Sequence, residues 1–163
     1  MDADRSAVYA AELAAFDGTD LEDVIDFWRL VERMRSVTTG EWWPGPLVDV
    51  TVARTDAASS STRCAMPAAG GRTMIRLAAT QMTVATAAHE LAHGLAGLGD
   101  AHGPVFRAAY VDVVAVITNI DSTDRRRELH VDQLATAFAE LGLSIAARRW
   151  PPPPSSTATA IEL

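Results

Sequence analysis

The chain has 163 residues, 48% of them apolar and 21% charged, which suits one domain with a sizeable core. Its net charge of −7 argues against a sequence-independent nucleic-acid binder, whose affinity comes from neutralising phosphates, and no apolar run approaches a membrane span. A single cysteine, Cys64, cannot close an internal disulfide, and the acidic opening Met1-Asp2-Ala3-Asp4 lacks a secretory pattern; together they predict a cytoplasmic protein.

In chain order, Tyr9, Leu13 and Phe16 fall at i, i+4 and i+7 and predict a first helix that stops near Gly18. Thr19 with Glu22 reads as a capping box for a second helix, running to about Val37 with Leu21, Val24, Ile25, Trp28 and Val31 on one face. Trp42 and Trp43 stand before a Pro-Gly turn. They are either an aromatic binding platform or a loop pinned to the core, and the second is the better reading. The periodicity then changes to two. Val48, Val50 and Val52 predict a strand, a second surrounds Arg63–Met66 with Cys64 as a small buried hydrophobe, and a third covers Thr73–Leu77. Pro67 to Gly71 reads as the hairpin loop between the last two.

The next segment carries the chemistry. A helix opening between Thr80 and Thr83 contains His89-Glu90-Leu91-Ala92-His93. At about 100° per residue the two imidazoles lie one turn apart on one face, with Glu90 beside them. Both rings can reach one ion, while the carboxylate can reach a water there without ligating the ion. Leu91 and Ala92 fall on the opposite side, where a core would pack. HxxxH pairs also arise on helices by accident. Here, however, three of the four histidines lie between positions 89 and 102, which favours a metal site.

Gly94, Gly97 and Gly99 predict the end of that helix and a sharp bend at about 97–99. His102-Gly103-Pro104 opens another helix, with proline in its first turn and an apolar stripe that includes Phe106, Tyr110 and Val113. His102 is the preferred third ligand, folding back across the bend. Asp100 is its competitor, with suitable chemistry but a position from which it can instead cap the turn.

Val131, Leu134, Phe138 and Leu141 predict a last helix ended by Gly142, and Ile145–Arg149 a short strand. Arg125-Arg126-Arg127 lies among acidic residues and reads as a solvated face; His130 reads as an ordinary polar helix position. The expected organisation is one domain over 1–149 and a flexible Pro-rich tail over 150–163. The run Pro151–Pro154 fixes an extended segment, with a docking role as the lesser alternative. The plan is α+β, with a small, mostly antiparallel sheet of about three strands.

HELAH, a Gly-rich turn and then HGPVF resemble the metal motif of SprT-like minimal zincin metalloproteases. More narrowly they resemble a set of small actinobacterial and phage metallohydrolases, whose opening Arg5-Ser6-Ala7-Val8-Tyr9-Ala10-Ala11-Glu12 also looks similar. The resemblance is specific over about 83–110, extends more loosely to about 143, and stops there. It implies a zincin-like fold, Zn2+ held by His89, His93 and His102, and Glu90 as the catalytic carboxylate. It also implies that segment 62–66 or 73–77 offers a sheet edge to an extended peptide. DNA-directed relatives often add a Cys-rich zinc ribbon or basic tail, which this chain lacks, so no nucleic-acid partner is expected.

The leading expectation is therefore a zinc-dependent metallopeptidase acting on a peptide or protein, with Glu90 as general base. Tyr110 and Arg107 are candidates to steady the oxyanion, although packing or surface roles suit both better. Two other classes stay open. One is a small-amide hydrolase or non-proteolytic zinc protein; the other is a phage or bacterial regulator that acts on one partner.

Overall fold

A computed structural model describes residues 2–53, 56–64, 71–120 and 124–154. The fold is α+β. Helices α1 (Arg5–Phe16) and α2 (Phe27–Thr38) precede strands β1 (Val48–Val52), β2 (Ser61–Cys64) and β3 (Thr73–Leu77). Helices α3 (Val84–Ala96), α4 (Pro104–Ile117) and α5 (Asp124–Glu140) follow. Among the described residues no helix is long and apolar enough to cross a membrane. The side chains of Cys64 and Arg125–Arg127, Ala65 and Met66 of the expected second strand, the expected hairpin loop apart from Gly71, and positions 155–163 lie outside the described residues.

The sheet is mixed rather than mostly antiparallel. Its order is β1-β3-β2, with β1 and β3 parallel (Val50 opposite Ile75) and β2 and β3 antiparallel (Thr62 opposite Ile75). Burial explains the order. Thr73, Ile75 and Leu77 are fully buried on one face of β3, which takes the centre, whereas the polar β2 sits at an edge. Segment 73–77 therefore offers no edge, and among the described residues 61–64 lies at one.

Two helices differ from expectation in instructive ways. On α1, Tyr9 and Leu13 are 44% and 65% exposed, while Val8, Ala11, Ala15 and Phe16 are buried. The small residues let α1 pack on α5, and Tyr9 is left over the histidines instead. The second helix does not start at Thr19. That residue caps only a 3-10 turn, Asp20–Glu22, after which Asp23 is extended. Asp26 is the true cap of α2, accepting from the amides of Trp28 (3.0 Å) and Arg29 (3.4 Å). Leu30, Met34 and Val37 then face the core, and Trp28 stays 73% exposed.

Helices α3 and α4 lie side by side at the centre, with β2 and β3 against α3 and α5 against α4. The segment 145–149 forms no strand. Instead it straps α4: the Ala146 amide donates to Pro104 O (3.0 Å), and Arg148 and the Trp150 indole both donate to the buried Asp112 carboxylate. With these polar groups already engaged, no sheet edge is needed. Trp43 donates to Pro46 O and Trp42 to Pro151 O, and both rings pack on the core, so the tryptophan pair is a pinned loop.

Candidate metal centre

Helix α3 presents its histidines from a buried scaffold. Thr83 caps its start by accepting from the Thr86 amide, and Gly97, at φ +81°, ends it. Leu91 and Ala92 are fully buried. Gly94 meets β3 so closely that a Cβ there would lie 3.3 Å from the Thr73 methyl. One face of α3 is therefore fixed against the sheet while the other carries His89 and His93.

The bend beyond Gly97 swings His102 back over that face. Asp100 has a task of its own: its Oδ2 accepts from the amides of Val105 (2.8 Å) and Phe106 (2.9 Å), capping α4. The cap sits so tightly under Gly103 that a Cβ there would lie 2.7 Å from that oxygen. His102, Gly103 and Pro104 thus divide the work among a ring, a close approach and a helix start. Between them and the cap, Ala101 takes φ +49° and ψ −114°, a conformation in which an L side chain is strained. Ala101→Gly should therefore stabilise the fold. Relief of about 1–3 kcal/mol of strain outweighs about 0.4–1 kcal/mol of extra chain entropy. Thermal melts should show Tm rising by roughly 2–4 °C, and a fall would contradict the strain.

The three imidazoles converge through their Nε2 atoms. His89 Nε2 is 3.2 Å from His93 Nε2 and 3.2 Å from His102 Nε2, and the three candidate ligand atoms all lie within 4.8 Å of one another. A tetrahedral zinc with bonds of ~2.0–2.1 Å separates its nitrogens by about 3.3–3.4 Å, which the two pairs that share His89 match; the third pair lies within 4.8 Å. Protonation fits as well. His89 Nδ1 is bonded to the Glu12 carboxylate and His102 Nδ1 to the Asp2 carboxylate. Each Nδ1 therefore carries the proton, and each Nε2 turns a lone pair inward. His93 Nδ1 is buried without a partner. A proton or a metal ion shared between nitrogens this close satisfies both.

The electrostatics of the three rings differ. Burial, with His89 and His102 alongside, pushes His93 down to about 3. Burial also lowers His102, the nearby His89 helping and Asp2 opposing. At His89 burial acts downward too, but the Glu12 charge and hydrogen bond outweigh it and the pKa rises. His93 and His102 are thus held neutral, as ligands must be.

Glu90 and Asp100 stand outside this cluster. Glu90 lines an open cleft of about 420 Å3, together with His89, Tyr9, Arg5, Ser60 and Gln81. The Thr62 hydroxyl, on β2, reaches both the Glu90 carboxylate and its backbone carbonyl. Burial raises the Glu90 pKa, against the lowering effects of Thr62 and His89.

The other sequence candidates lie elsewhere. Tyr110 is fully buried beneath His89 and bonded to Ala85 O and Glu12; burial and the Glu12 charge push its pKa well up. Arg107 is buried and donates to Ser144 O, Asp4 and His102 O. Neither is among the cleft-lining residues, and both serve packing. His130 pairs with Asp20 at 3.3 Å, away from the cluster. Asp2, Tyr9, Glu12 and Thr62 escaped the sequence reading as site residues. The available signals were the i, i+3 spacing of Tyr9 and Glu12 on one helix and the family-like opening at 5–12. The chain matches no family model, no curated protein and no solved structure.

Proposed function

We propose that this chain is a zinc-dependent metallohydrolase, in the first instance a metallopeptidase with a zincin-like, SprT-like arrangement. The observation that carries this reading is the convergence of three imidazoles, with the His93 and His102 Nε2 atoms each 3.2 Å from His89 Nε2 and Glu90 alongside in the wall of an open cleft. Bound zinc would supply Lewis acidity, polarising a carbonyl and bringing the pKa of a water to about 7. Glu90 accepts the proton of the attacking water and returns it to the leaving amine. Thr62 holds that carboxylate in place from the edge strand. The same strand, β2, lies at a sheet edge among the described residues, where an extended peptide would pair with its backbone.

The cleft also favours a second reading of the same chemistry. Ser59, Ser60, Thr80, Gln81, Thr83 and Thr86 line it, and about 420 Å3 suits a small polar ligand. A short polar amide would fit there as well as a peptide segment. To test both, zinc-loaded protein is incubated with a diverse peptide library and a panel of small acylated amides, read by mass spectrometry. The expected result is cleavage of one class, abolished by chelation and restored by zinc. Stoichiometric zinc with no turnover on either panel overturns the hydrolase reading.

A further inference from the structure

We infer that Glu12 and Asp2 are positioning residues of the metal centre, holding the His89 and His102 rings by their Nδ1 atoms so that both Nε2 lone pairs point inward. The inference rests on the metal reading above and extends the centre to a segment that contains none of its ligands.

A neutral imidazole in water carries its proton on either nitrogen, and the form protonated at Nε2 cannot ligate through that atom. A carboxylate at Nδ1 selects the other form, fixes the ring plane and makes the ligating nitrogen more basic. Glu12 does this from α1. Its carboxylate is only 16% exposed, is also bonded to Tyr110, and belongs to the helix whose Tyr9 stacks on His89 at 5.6 Å and 12°. Asp2 does the same for His102 from the residues just before α1 and is 27% exposed. Between them Asp4 bonds Arg107 at 2.8 Å, and the same guanidinium nitrogen donates to His102 O. The segment is thus tied to the His89 ring, the His102 ring and the His102 backbone. His93 has no such support, since its Nδ1 is partnerless. The three ligands are therefore unequal: two are oriented from α1 and its approach, and one by α3 alone.

The test is zinc affinity of the full-length chain, measured by competition with a chromophoric chelator, for wild type, Glu12→Gln and Asp2→Asn. Leu13→Ala, on the exposed side of the same helix, is the control. Each carboxylate variant should weaken zinc by about 10–100-fold, with the more buried Glu12 showing the larger loss. The cobalt-loaded proteins should show altered visible absorption, because the ligand field changes. Melting of the metal-free proteins separates positioning from packing. A lower metal-free Tm with unchanged zinc affinity and cobalt spectrum means that Glu12 and Asp2 only hold the helix in place, and the inference fails. Wild-type affinity in both variants overturns it too. If wild-type protein itself binds no zinc, the metal reading falls first and this inference with it.

Discussion

Glu90→Gln should keep its zinc and lose about 10²–10⁴-fold in turnover, the usual loss for a general base. The amide is nearly isosteric, and its oxygen can still accept from Thr62, so the local hydrogen bond survives. What disappears is the ability to take a proton. Metal-free stability should hold or rise, and the sign follows from the carboxyl's environment. Its pKa is raised by burial, so folding favours the protonated form, and at neutral pH the ionised group costs stability that a neutral amide does not. Zinc content, turnover and Tm of the two proteins check all three points. Loss of zinc would make Glu90 a ligand. Unchanged turnover would place the chemistry elsewhere.

Single His→Ala changes at 89, 93 and 102 should each weaken zinc by several orders of magnitude, while Asp100→Ala should leave affinity near wild type. Structural zinc sites bind with an apparent ~10–16 kcal/mol, so each of three ligands carries on the order of 3–5 kcal/mol, roughly 10²–10³-fold or more. Asp100 instead spends its carboxylate on the Val105 and Phe106 amides. Its removal should cost about 0.5–2 kcal/mol of stability, as for other helix caps. Metal content after dialysis and thermal melts separate the two patterns. Zinc retained in His102→Ala but lost in Asp100→Ala would reverse the assignment of the third ligand.

Much of the frame around the histidines is legible in the sequence because its signals are local. Thr83, Gly97 and Pro104 each act within a few residues, and they bound α3 and open α4 where the pattern places them. The second strand, expected around Arg63–Met66, lies at Ser61–Cys64, whereas the first and third follow from period-two runs. The order and direction of those strands do not, because the central place of β3 depends on how Ile75 and Leu77 bury against the helices. Where two local signals compete, the reading fails: Thr19 and Asp26 are both good caps, and only packing decides that the second starts α2. On α1 the large side chains of Tyr9 and Leu13 suggest the wrong face, since Ala11 and Ala15 give little hydrophobic signal yet do the packing. The candidate site divides in the same way. The three clustered histidines lie close together in sequence and are readable. Glu12 and Asp2 are two of 21 acidic residues, and only the spacing of Glu12 from Tyr9 and the family-like opening at 5–12 set either apart.

The long reach of those two carboxylates bears on when the proposed metal centre would form. Glu12 lies 77 residues from His89, and Asp2 lies 100 from His102. A chain leaves the ribosome from its N-terminus at roughly 5–20 residues per second, so α1 emerges before any of the surfaces it will touch. A lone helix of 12 residues is marginal in water, and the partner of α1 is α5, the last helix described. The three histidines are therefore synthesised and able to meet while the segment that steadies two of them is still unfolded. On the proposed reading, zinc encountering the nascent protein would find an early, looser trap, which tightens only when α1 closes on α5.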